Sequence, residues 1–72
     1  MSVYDPKDQG TRRRRAKVSQ TAIATRLGCS IGSLSEYESG KKPLPWSLTG
    51  ADYEIALAEE LVARGKREAV AQ

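Results

Sequence analysis

Gly28 separates two short stretches that each read as helix, and this break constrains the fold more than any other feature of the chain. Before it, Ser19 is a good N-cap residue. Val18, just ahead of the cap, and Ile23, at the fourth helical position, form a hydrophobic staple. Ile23 and Leu27 then repeat at a four-residue step on one helical face. Gly28 accepts the left-handed backbone that ends a helix. Ser30 caps a second run, whose inward face is Leu34, Tyr37 and part of Ile31, and Gly40 stops it. A chain of 72 residues has little core to spare, so a break at this point must set how the two pieces meet.

Counting Gln20 as the first position, apolar residues fall at the fourth, eighth, tenth, fifteenth and eighteenth: Ile23, Leu27, Cys29, Leu34 and Tyr37. Ala24 takes the fifth position, where two helices crossing steeply need a small side chain, and Gly28 takes the ninth. That is the spacing of a helix-turn-helix, with the second helix projecting at an angle to the first. The second helix is unusual in carrying Gly32, Ser33 and Ser35 where a surface helix commonly carries Lys or Glu.

The flanks are less regular. Residues 1–10 read as a mostly irregular, flexible segment, since Asp5-Pro6 can cap and start a helix but Gly10 interrupts it. Residues 11–17, TRRRRAK, can form a short helix capped by Thr11. Lys41-Lys42-Pro43-Leu44-Pro45-Trp46 must be a loop, because its two prolines forbid helix. Trp46 is expected to cover one end of the core. Thr49 and Asp52 resemble a capping box before a long helix that runs to about Arg64. On it, Tyr53, Ala56, Leu57 and Leu61 form one apolar stripe, and Ala51, Ile55, Ala58 and Val62 an adjacent second. One stripe suffices for so small a core, so the second is expected to pack on another subunit. Residues 66–72, beyond Gly65, are expected to fray. The organisation expected is therefore one all-α domain over residues 11–65.

Composition narrows the chemistry. A single Cys excludes an internal disulfide, and the absence of His excludes a Cys/His zinc set and the commonest general base. No nucleophile–base pair is in view, so neither an enzyme nor a bound cofactor is expected. A second copy of the chain is the natural source of extra stability. No run of about 18 apolar residues indicates a membrane span, and the polar N-terminus MSVYDPKDQG has no signal-peptide core. A cytoplasmic protein without a small-molecule ligand is expected. Residues 1–42 carry nine Lys/Arg against four Asp/Glu, a net +5, while residues 43–72 carry three against five, a net −2. A basic half joined to an acidic half suggests a face for a polyanion.

The stretch VSQTAIATRLGCSIGSLSEYESGKKPLP resembles the Xre-type family, the helix-turn-helix proteins that include phage Cro and phage repressors. The resemblance rests on Ser19-Gln20, Ile23-Ala24, Gly28, Ser30, Leu34-Ser35, Tyr37-Glu38, Gly40 and Pro43. It implies a lambda-repressor-like domain, a compact bundle of four to five helices containing the helix-turn-helix, that dimerises on two-fold symmetric double-stranded DNA. The chain departs from the family at the first helix, where KDQGTRRRRAK replaces the usual apolar residues. That predicts a helix that is short, or ordered only on DNA.

With residues 30–39 in a major groove and Leu34 pointing inward, Gly32, Ser33, Ser35 and Glu36 point outward, and Ile31 stands at the leading end. Glu36 can accept from a cytosine amino group, or pair with a nearby Lys or Arg and only orient it. Ile31 can pack on a thymine methyl, and the short residues let the backbone approach the bases. Gln20 and Thr21 start the motif's first helix, a place that favours phosphate. The resemblance implies a backbone contact at Gln20. Lys17, Lys41 and Lys42 are placed for the backbone too, or only solvate loops. Arg12, Arg13, Arg14 and Arg15 offer mixed phosphate contacts if helical, or a minor-groove arm if extended. Cys29 reads as core, and Tyr37 and Trp46 read as core rather than as base-stacking residues. Glu38 reads as structural, bonding backbone near the turn or pairing with a first-helix arginine. Ile55, Ala58 and Val62 are the expected dimer surface.

The function expected is a sequence-specific transcriptional regulator, a Cro-like repressor of phage or prophage type. An antitoxin or anti-CRISPR-associated autorepressor on the same scaffold, an architectural binder and a protein-interaction adaptor are the alternatives.

Overall fold

In a computed structural model, residues 4–71 are described, with side chains through Gly65. Four helices follow one another: α1 (Pro6–Arg15), α2 (Gln20–Leu27), α3 (Ile31–Glu38) and α4 (Gly50–Ala71). The described residues form no strand. Local chemistry sets most of the ends. The Asp5 carboxylate accepts from the Lys7 amide at 3.0 Å, with Pro6 at the first helical position. The Ser19 and Ser30 hydroxyls each accept an amide three residues on, from Ala22 and Ser33, both at 3.1 Å. The Asp52 carboxylate accepts from the Thr49 amide at 2.7 Å and its hydroxyl at 3.1 Å, just ahead of α4.

The first three helices end alike. Each is followed by one residue at positive φ: Lys17 (59°), Gly28 (75°) and Gly40 (79°). Around Gly28, its amide donates to Thr25 O at 3.2 Å and the Cys29 amide donates to Ala24 O at 3.0 Å. The same pair of bonds recurs after α1 (Lys17 to Arg14, Val18 to Arg13) and after α3 (Gly40 to Tyr37, Lys41 to Glu36). These are Schellman closures, which satisfy carbonyls that the helix leaves open.

Val18, Ile23, Ala24, Leu34, Tyr37, Leu44, Tyr53, Ala56 and Leu57 make the core. Both members of the Val18–Ile23 staple are buried, and so is Ala24, where α2 comes close to its neighbours. Leu27 and Cys29 pack against the core while half-buried. Three polar side chains, Gln9, Arg13 and Glu38, are buried with it. α4 lies across α2 and α1, and the Tyr37 and Tyr53 rings meet at 5.8 Å.

Five expectations are corrected. The first helix begins at Pro6, so the segment expected to be irregular is helical from there on, and Thr11 is inside the helix rather than its cap. Residues 1–3 of that segment lie outside the described residues. Gly10 does not interrupt α1, because it serves a tertiary contact: a Cβ there would stand 3.2 Å from Glu38 Cβ. Trp46 does not cover the core. It is 76% exposed, and Leu44 and Leu48 close that end instead. Leu61 is 44% exposed and lies outside the inward stripe of α4, which Tyr53, Ala56 and Leu57 supply. The helix also continues past Gly65 to Ala71, where fraying was expected, and Gln72 lies outside the described residues.

Candidate nucleic-acid interface

The left-handed Gly28 and the small, buried Ala24 turn α3 away from α2. Leu34 and Tyr37 fix its inner side to the core. The other side is open. Ile31 is 48% exposed, Gly32 and Ser35 are exposed, and Ser33 and Glu36 are half-buried. All five outward residues expected from the sequence thus share one accessible side of one helix. The Ser30 hydroxyl donates to Ser33 Oγ at 3.0 Å, which orients that hydroxyl at the leading end. At the trailing end, the Schellman closure at Gly40 fixes the start of the loop, and Lys42 Nζ stands 3.3 Å from Glu36 Oε2.

The basic residues divide. Arg13 leaves the expected backbone-contacting set, because it is buried against the end of α3. Its Nε and NH2 donate to the two Glu38 carboxylate oxygens at 2.8 and 3.0 Å, and its NH1 to Val18 O at 2.8 Å. Arg12 faces solvent but is held between acidic groups, with Asp8 at 3.1 Å and the two Glu54 oxygens at 2.9 and 2.6 Å. Arg14, Arg15, Lys17, Thr21, Lys41 and Lys42 are exposed. Gln20 is half-buried, and its amide donates to Glu38 Oε1 at 3.1 Å. A shallow groove lined by Lys7, Thr11, Arg14, Gln20, Ser35, Glu38 and Ser39 joins the basic side of α1 to α3. Lys7 was missed in the sequence because its segment read as irregular, although Asp5-Pro6 carried the signal for a helix start.

Beneath the open side lies a polar network. The Tyr53 hydroxyl donates to Glu38 Oε2 at 2.5 Å, and the Tyr37 hydroxyl donates to Gln9 Oε1. The Gln9 amide donates to Gly50 O at 3.0 Å and to Glu54 Oε2 at 2.6 Å. Burial pushes the Glu38 carboxyl up, but hydrogen bonds from Arg13, Tyr53 and Gln20 outweigh it and hold Glu38 below the usual carboxylate range. Burial and the bond to Glu38 push the Tyr53 hydroxyl far up. Burial opposes the charge on Arg13, yet Glu38 keeps its pKa above the ordinary value. Hydrogen bonding to Arg12 and, against burial, to Gln9 holds Glu54 low. Burial raises the Cys29 thiol, which stays protonated and behaves as a small apolar group. Every buried side-chain polar atom among the described residues has a partner. Charge thus fixes α3 to α1 and α4 from behind, without occupying its open side.

On α4, Ile55 and Val62 are 57% and 58% exposed, and Ala58 is exposed between them. Arg26, which pairs with Glu60 at 2.9 Å, borders the same apolar surface. No helix among the described residues is long and apolar enough to cross a membrane, and the described residues hold no cluster suited to a metal ion.

No curated protein and no solved structure matches the chain. The family model of a helix-turn-helix domain matches residues 10–61, a span that contains α2, the Gly28 turn, α3 and the start of α4. With most of its length matched and the motif geometry in place, the chain belongs to the helix-turn-helix domain family, a family of DNA-binding domains.

Proposed function

We propose that the protein is a sequence-specific transcriptional regulator, a Cro-like repressor of phage or prophage type, which places α3 in the major groove of a palindromic operator as a homodimer. The observation that carries this reading is the open side of α3, where Ile31, Gly32, Ser33, Ser35 and Glu36 stand together while Leu34 and Tyr37 anchor the other side. The small residues let the helix backbone approach base edges. Ile31 packs on a thymine methyl, Glu36 accepts from a cytosine amino group, and the two serines add adaptable hydrogen bonds. A carboxylate entering the groove is repelled by phosphates, and Lys42 beside Glu36 reduces that cost.

Gln20, Thr21, Arg14, Arg15, Lys17, Lys41 and Lys42 supply the phosphate contacts in this reading, which position the protein without reading sequence. Lys7 joins them through its place beside Arg14 and Gln20. The exposed Ile55, Ala58 and Val62 form the contact between the two copies.

Selection of bound duplexes from a random DNA pool tests the reading. Two-fold symmetric sites with half-sites about one helical turn apart are expected. Retained DNA without a consensus would mark an architectural binder. No retained DNA would leave the motif as a protein-interaction module.

A further inference from the structure

The loop after α3 holds the only tryptophan of the chain in an unusual way. Trp46 is 76% exposed, and its φ is 58°. It stands in a turn closed by the Leu48 amide donating to Pro45 O at 3.3 Å. On either side, Leu44 is buried and Leu48 packs on the core, so the loop is pinned at both ends and the indole is held outward at its tip. Such a backbone suits glycine or asparagine. Nothing among the described residues requires an indole there.

The surroundings indicate what it meets. Pro43, Leu44 and Pro45 share a shallow cleft with Ser33 and Glu36 of α3, so the loop flanks the open side of that helix. Lys41 and Lys42 are exposed in the same loop. A surface that couples an indole with two ammonium groups matches an anionic partner. A second copy docked loop to loop would set the two Lys41 ammonium groups against each other, which disfavours it. The indole N–H is a donor without acceptor capacity, and its ring is a flat apolar surface. Both features suit a sugar-phosphate backbone.

We infer that Trp46 contacts the DNA strand bordering the groove that α3 enters, its Nε1–H donating to a phosphate oxygen and its ring lying on a deoxyribose. This inference rests on the DNA-binding reading above. The contact adds affinity without sequence preference.

Trp46 reports on itself, since its emission is the only tryptophan signal. The experiment titrates a duplex recovered from the random pool, and a scrambled duplex, into the full chain. It follows the anisotropy of end-labelled DNA together with tryptophan emission and acrylamide quenching. Emission should change in step with anisotropy, and quenching by acrylamide should fall. Trp46→Ala should weaken both duplexes by the same factor, roughly tenfold, as expected for a lost hydrogen bond to a charged group plus its ring contact. Trp46→Phe, which keeps a ring but no donor, should fall between. Circular dichroism of both variants should match the parent, because the side chain is exposed. If anisotropy rises while emission and quenching stay constant, the Trp46 contact is overturned and the DNA reading stands. Protection of the indole that grows with protein concentration in the absence of DNA would assign it to a second copy and overturn the inference. No anisotropy change with any duplex overturns both readings.

Discussion

Removing the Arg13 guanidinium would strand the Glu38 carboxylate in a site built for its charge. Both side chains are less than one-tenth exposed, at 8% and 5%. Breaking one partner of a buried pair costs about 3–5 kcal/mol, against a total stability of about 5–15 kcal/mol for a typical domain. Arg13→Ala should therefore lower the melting temperature severely in a circular dichroism scan. Arg14→Ala, one residue on and exposed, should leave melting unchanged and flatten the log–log salt dependence of DNA binding by about 0.9. Equal melting of the two variants would refute the assignment of Arg13 to the interior. The sequence could not separate these neighbours. A helix turns consecutive arginines in different directions, and the partner that draws Arg13 inward lies 25 positions away. Trp46 eluded the same reasoning in reverse, since its hydrophobicity says inside while its backbone directs it out. Lys17 is the other strained residue. It takes the left-handed place after α1 that Gly28 and Gly40 take after α2 and α3. A side chain there costs about 1–2 kcal/mol, and glycine returns part of that as unfolded-state entropy. Lys17→Gly should gain about 0.5–1 kcal/mol in urea unfolding, and a loss would show that the lysine side chain makes a contact worth keeping.

Element boundaries governed by nearby chemistry were legible, and those governed by distant packing were not. Ser19, Gly28, Ser30, Gly40 and the Thr49–Asp52 pair act within four residues of themselves, so α2, α3 and the start of α4 could be placed from the sequence. The open side of α3 followed as well, because two inward residues fix a short helix's rotation. α1 was misplaced because Gly10 looked like an interruption, while its real role is to admit Glu38. The two glycines make a paired test. Nothing lies within 4 Å of a Cβ built on Gly28, so Gly28→Ala carries only the backbone penalty, about 1–2 kcal/mol. Gly10→Ala would gain about 0.5–1 kcal/mol of helix preference. It would also press on Glu38, which Arg13, Gln20 and Tyr53 hold in place and which has little room to yield. Urea unfolding should show both substitutions destabilising, and a stabilised Gly10→Ala would mean that α1 can shift from α3 at little cost.

For the whole molecule, the ionised interior sets a pH range of stability. Glu38 and Glu54 both titrate below their ordinary value when folded. As pH falls past about 4.3, the usual glutamate value, the unfolded chain takes up their protons before the folded chain does. Stability from these two groups is therefore complete above that pH and is lost on acidification through their folded values. Tyr53 and Tyr37 are shifted the other way, upward, chiefly by burial. Their contribution is complete below about pH 10, the usual tyrosine value, and is lost as pH rises beyond it. Between these limits the chain has no histidine to titrate. Urea midpoints should thus be nearly flat from about pH 6 to 8 and fall on both sides, on the alkaline side first through Cys29, whose raised thiol stays protonated in the fold while the unfolded thiol ionises at about pH 8.5. Glu54→Gln removes one of the two acid-side groups from the partly exposed edge of the network, where Arg12 screens it from one side. Its unfolding free energy should fall less steeply between about pH 4 and pH 3 than the parent's, with a slope lower by up to ~1.4 kcal/mol per pH unit, the linkage of a single proton. A parent whose stability does not change from pH 7 to pH 3 would show that the carboxylates behind α3 are not held charged, and the helix would then be fixed by its apolar contacts alone.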